Sequence, residues 1–160
     1  MANNLKTWLN NKVGEGYDAP IFVATHTPLG YTTRTYTNGD SLYGKYVFDV
    51  LNDAAANGLN IIFMHGHDHA YGADNYLGGE AIYLPVGDKI NIAVPGNKAA
   101  WTEETLNFTY MNAGYVGYYG GGCETQLSST VIEIYENRIE IARYDKDGEA
   151  NLKDEGIADN

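Results

Sequence analysis

Three of the four histidines of this chain fall within His65-Gly66-His67-Asp68-His69, directly after the apolar run Ile61-Ile62-Phe63-Met64. The fourth, His26, ends a second apolar run, Ile21-Phe22-Val23-Ala24-Thr25. Neutral imidazole is the commonest side-chain metal ligand near neutral pH, and a glycine lets backbone pass close to an ion. His67 and His69 at alternate positions, with His26 at a second strand end, therefore point to metal ligation. His65 is either a residue that orients a ligand or substrate group, or simply the last residue of its strand. Asp68 points away from its neighbours on an extended chain and reads as a capping or supporting group rather than a primary ligand.

Two competing motifs fail. Histidine-triad nucleotide-binding proteins also alternate histidines, but with apolar residues between them; here Gly66 and Asp68 intervene. Asp145-Lys146-Asp147-Gly148 superficially suggests a calcium loop, yet aligning its glycine puts Arg143 at the first ligand position, so it reads as a turn. Cys123 has no second cysteine to pair with and is incidental.

The elements that must position the histidines follow from periodicity. Leu5, Trp8, Leu9 and Val13 share one face of a helix over residues 4–13, stopped by Gly14. Ile21–Thr25 is a strand buried on both faces, and residues 29–40 form a polar loop. Asp40 or Ser41 caps a second helix carrying Leu42, Tyr46, Val47, Val50, Leu51, Ala54 and Ala55, with Gly58 as its left-handed stop. The strand Asn60–Met64 follows at once. Strand, helix, strand is a right-handed crossover, which makes the two strands parallel and brings His26 to the same sheet edge as His67 and His69.

Further strands are expected at Glu80–Leu84, Ile90–Val94, Leu106–Met111, Ser129–Tyr135 and Arg138–Tyr144, the last two as a hairpin about Glu136-Asn137. The fold class is thus α/β shading into α+β: one parallel β-α-β unit, then mostly antiparallel strands. The domain spans residues 1–145, and 146–160 read as a flexible tail. The stretch Tyr110–Gly122 is either an aromatic substrate or sugar platform or an irregular loop packing its rings on the sheet.

Composition narrows the partners. The chain has 160 residues, 44% hydrophobic and 19% charged, as in a globular domain. Its net charge of −11 argues against nucleic acid as an electrostatic partner. No apolar run reaches the roughly 18 residues needed for a membrane span. Low cationic content and Gly/Tyr/Thr-rich loops are compatible with an extracellular or cell-surface bacterial protein.

Thr25-His26-Thr27-Pro28-Leu29 and Gly66-His67-Asp68-His69 resemble the later histidine motifs of the calcineurin-like metallophosphoesterases. The continuation Ala70-Tyr71 is similar to the purple acid phosphatase branch, and Tyr71 with it becomes a substrate-side candidate. Leu5–Leu9 resembles the preceding helix. Met111-Asn112-Ala113-Gly114-Tyr115 resembles an Asn-x-Gly strand end, which adds Asn112 to the candidates.

The resemblance covers about residues 4–144. It implies the C-terminal half of a β-sandwich flanked by helices, and hydrolysis of phosphate mono- or diesters by a hydroxide bridging two divalent or trivalent ions (Fe, Mn or Zn). His26 and His67 would bind one ion and His69 the other. The family's earlier motifs, Asp-x-His, Gly-Asn-His and an upstream Gly-Asp, do not occur in order here; Gly39-Asp40 and Gly87-Asp88 lie downstream.

The expectation is therefore a fragment that lacks the N-terminal half of its domain, holds at most one metal weakly and is inactive alone. An uncovered sheet edge would favour a homodimer. The alternative is a non-catalytic module binding carbohydrate or protein on a phosphoesterase-like sheet.

Overall fold

The computed structural model describes residues 2–29, 42–66, 83–94, 101–115, 128–145 and 150–155. Ala2–Glu15 form helix α1, on which Leu9 is fully buried and Leu5 and Val13 pack against the core. Trp8 is 46% exposed instead, with the Lys12 ammonium 5.8 Å from its ring centre. At ~100° per residue Trp8 stands at the margin of the Leu5/Leu9 stripe, where an amphipathic ring tolerates water. The helix also runs through Gly14. Its stop is Gly16 at φ +64°, where Gly16 N donates to Val13 O and Tyr17 N to Lys12 O, each at 3.1 Å.

Helix α2, Leu42–Ala56, ends in the same way at Gly58 (φ +99°), as its sequence predicts. Gly58 N donates to Ala55 O at 2.9 Å and Leu59 N to Ala54 O at 3.3 Å. Phe48, which lies off the predicted apolar stripe, is fully buried against Phe108, ring centres 5.8 Å apart. The stripe is wider than predicted because α2 has a second flank to cover. The segment after Trp101–Thr105 is tied to it: Asn52 Nδ2 donates to Thr105 O (3.0 Å), and Asn107 N donates to Asn52 Oδ1 (2.7 Å).

Strands β1 (Ile21–Thr25) and β2 (Ile61–His65) pair in parallel, Ile21 opposite Ile61 through Thr25 opposite His65. Two short strands follow in sequence, β3 (Tyr83–Leu84) and β4 (Lys89–Ala93), then β5 (Trp101–Thr105) and β6 (Thr109–Asn112). The first sheet has the order β1-β2-β6-β3, with β6 parallel to β2 and β3 antiparallel to β6. The predicted strand at 106–111 therefore starts later, and Leu106 and Phe108 are buried in the approach to it.

β5 carries no apolar alternation and was invisible to periodicity. It is held to β4 by its backbone ladder and by Lys89 Nζ–Glu103 Oε1 at 2.7 Å, while β4 supplies the buried Ile90 and Ile92.

The second sheet contains β7 (Gly114–Tyr115), β8 (Ser128–Ile134), β9 (Ile139–Asp145) and β10 (Ala150–Glu155), in the order β10-β9-β8-β7, all antiparallel. The β8–β9 hairpin turns at Glu136-Asn137 as expected, closed by Tyr135 N to Arg138 O at 2.8 Å. β10 lies where the sequence shows no periodicity and was expected to form part of a flexible tail. Its place at the edge of β9 rests on backbone pairing, which side-chain pattern does not announce.

One face of the first sheet, with Ile21, Ile61, Phe63 and Tyr110, packs with Leu9, Phe48 and Leu51 of the helices. The other presents Ile62 and Met111 to Ile139 and Ile141 of the second sheet. The class is α+β, with helices and two four-stranded sheets in successive layers and β4–β5 as a separate two-stranded sheet. β2 is buried on both faces, but β1 is not: Phe22 is 40% exposed, because β1 is an edge strand among the described residues. No helix among the described residues is long and apolar enough to cross a membrane.

Lys45 ties α2 to β5, pairing with the Asp49 carboxylate and lying 3.4 Å from Glu104 Oε1. Desolvation lowers its pKa, but the hydrogen bonds and charges of Asp49 and Glu104 outweigh that and raise it above 10.5. A raised folded-state value stabilises fully below 10.5 and is lost as pH climbs through it. Urea midpoints across the alkaline range should therefore fall more steeply for wild type than for Lys45→Met. Phe48→Ala should cost about 3–5 kcal/mol in the same assay.

Candidate functional site at the carboxyl rim of the parallel strands

β1, β2 and β6 run in the same direction, so their carboxyl ends share one rim. Backbone pairing continues past the strands on both sides of β2. Gly66 N donates to His26 O at 3.2 Å, and Ala113 N donates to His65 O at 2.7 Å. His26 and Gly66, 40 positions apart in the numbering, are thus bonded neighbours, and Gly66 leads covalently into His67. His67, Asp68, His69 and Tyr71 themselves lie outside the described residues. Among the described residues no three His, Cys, Asp or Glu side chains form a metal-holding group.

His26 is exposed at the rim. The turn after it is closed by Thr25 Oγ1 donating to Thr27 O at 2.6 Å, followed by the buried Pro28. Leu29 packs against the core, and its N–H donates to the Tyr110 hydroxyl at 3.2 Å.

His65 is the last residue of β2 and is 4% exposed. Its ring lies against Tyr110, centres 4.8 Å apart, on the helix side of the sheet. Nδ1 stands 3.0 Å from Gly66 O; a carbonyl only accepts, so this contact places the proton on Nδ1.

Asn112, opposite His65 in register, is also buried, and its Oδ1 accepts from Gly114 N at 2.9 Å. That oxygen serves the β6–β7 turn, where Gly114 has φ +106°. Tyr110 is 5% exposed, within β6, so it is no part of a substrate platform; residues 116–122 of the expected aromatic stretch lie outside the described residues. Its ring stacks on Phe63 at 5.3 Å and 12°. No motif in the sequence signals the 110–29 tether, which joins residues 81 apart.

The donor chemistry suits one borderline ion. Imidazoles from positions 26, 67 and 69 would favour zinc, iron or a similar metal. A Cβ at Gly66 would meet, among the described residues, only His26 O, at the ordinary contact distance of 3.7 Å. The described residues that leave β1, β2 and β6 at this rim, 25–29, 65–66 and 112–115, include no Asp or Glu.

A cleft of about 440 Å³ opens at the opposite rim of these strands, between Tyr17, Asn60, Tyr135 and Arg138; among the described residues no histidine lines it. No protein-family model matches the chain, and no curated protein matches it.

Since the described neighbours leave room and Gly66 does not have positive φ, Gly66→Ala should change stability by no more than about 0.5 kcal/mol in thermal melts.

Proposed function

We propose that the carboxyl rim binds a divalent metal ion through His26, His67 and His69, and forms part of a phosphoesterase centre of the calcineurin-like type. The observation that carries this reading is the Gly66 N–His26 O hydrogen bond, which makes the start of the Gly-His-Asp-His run a neighbour of the other histidine motif. A metal held there supplies a polarised phosphoryl oxygen and an acidified water.

The chain's own residues hold and orient. His26 presents its ring to solvent from a turn fixed at both ends. His65 and Asn112 are buried beneath the rim and brace the strand ends. A cation held by these residues would offset the chain's negative charge, −11 in all, where an anionic phosphate mono- or diester approaches.

On this reading the three imidazoles make half of a dinuclear centre, and a polypeptide segment carrying Asp-x-His and Gly-Asn-His would complete it with the bridging carboxylate. Alone, this chain binds one ion weakly and hydrolyses little; self-association through the exposed flank of β1 belongs to the same reading and is measured by light scattering.

Zinc titration by calorimetry should give one site per chain, strongly weakened in His26→Ala and weakened as pH falls from about 8 to about 5.5, because protons compete for imidazole. Aryl phosphate hydrolysis should stay near background with or without zinc. An absence of binding, or binding indifferent to His26→Ala, rejects the metal site. Enzyme-like turnover by this chain alone rejects the half-centre.

A further inference from the structure

We propose that Tyr110 is a positioning residue for this site: its hydroxyl, by accepting the Leu29 N–H, fixes the His26–Leu29 turn so that the residue-26 imidazole is presented at the rim. The inference rests on the metal-site reading above and adds a residue to it from the buried face of the sheet.

The turn leaves β1 at Thr25 and is secured at two points. At its start, Gly66 N holds His26 O at 3.2 Å; at its end, the Tyr110 hydroxyl holds Leu29 N at 3.2 Å. Between them, Thr25 Oγ1 closes on Thr27 O at 2.6 Å, and Pro28 has a ring-fixed φ and is buried. Fixing both ends removes backbone conformations in which residue 26 leaves the rim, so less backbone entropy is lost when a ligand binds.

Tyr110 is suited to the task because its ring is buried and packed. It lies in β6, in register with Phe63, 5% exposed, its ring stacked on Phe63 and leaning on His65. The ring would be equally well buried as phenylalanine. The hydroxyl is what reaches the Leu29 amide, and a buried tyrosine hydroxyl is retained where it has a polar partner. Through this one atom the third parallel strand controls the end of the first.

The test is Tyr110→Phe, which keeps the ring and removes the tether. Circular dichroism and the melting temperature should stay close to wild type. The Leu29 amide should exchange with deuterium about tenfold faster, and zinc affinity should fall by roughly tenfold or more, as for other groups that orient ligands. Because Tyr110 acts through His26, the same change made in a His26→Ala background should have no further effect on whatever zinc binding remains.

Equal zinc affinity of wild type and Tyr110→Phe, with His26→Ala defective, overturns the positioning role while leaving the metal site standing. Wild type that does not bind zinc overturns both. Should Tyr110→Phe fail to fold, the wild-type Leu29 amide decides: protection like that of Gly66 N–H supports the tether, and exchange at the rate of an open loop overturns it.

Discussion

The hydrogen bond from Gly66 N to His26 O carries the β1–β2 pairing one step past the strands, and it is what sets His26 beside the start of the Gly-His-Asp-His run. Parallel pairing with Ile21 opposite Ile61 fixes which residues leave the two strands together. A shift of one residue would turn Phe63 and His65 toward the second sheet and Ile62 and Met64 toward the helices, so that neither face kept its packing partners. The burial of Ile61, Ile62 and Phe63 on alternate faces therefore locks the register, and the register sets the rim.

Two cores maintain that lock from opposite sides. Leu9, Phe48, Leu51 and Phe108 press on the helix face, and Ile139 and Ile141 on the other. β2 and β6 are covered twice, whereas β1 is covered chiefly by the helices and leaves Phe22 exposed. The strand that delivers His26 is accordingly the less supported one, and its end is braced by polar contacts: Gly66 N on one side and the Tyr110 hydroxyl on the other.

Much of this was readable in the residues. The crossover followed from two apolar runs separated by an amphipathic helix with Gly58 at its stop, and the hairpin from two alternating strands flanking Glu136-Asn137. These are local signals, in which side-chain period and turn chemistry agree. β5, with Thr102, Glu103 and Glu104, gives no such signal, since a solvent-facing strand can be held by its backbone ladder alone. β10 escaped for the same reason. Phe48 and Trp8 were misplaced because a helix pattern shows that an apolar stripe exists, not how many neighbours will cover it.

The amino-acid sequence by itself determined that histidines end two consecutive parallel strands, because periodicity and chain direction suffice to bring those ends to one edge. Only the tertiary structure decided that β6 joins them in parallel, that His65 and Asn112 turn inward, and that Tyr110 reaches Leu29 across 81 positions. Such facts depend on which strand lies beside β2 and which face each helix covers. Contacts between distant segments leave no period in the chain, so they become visible only once the layers are packed.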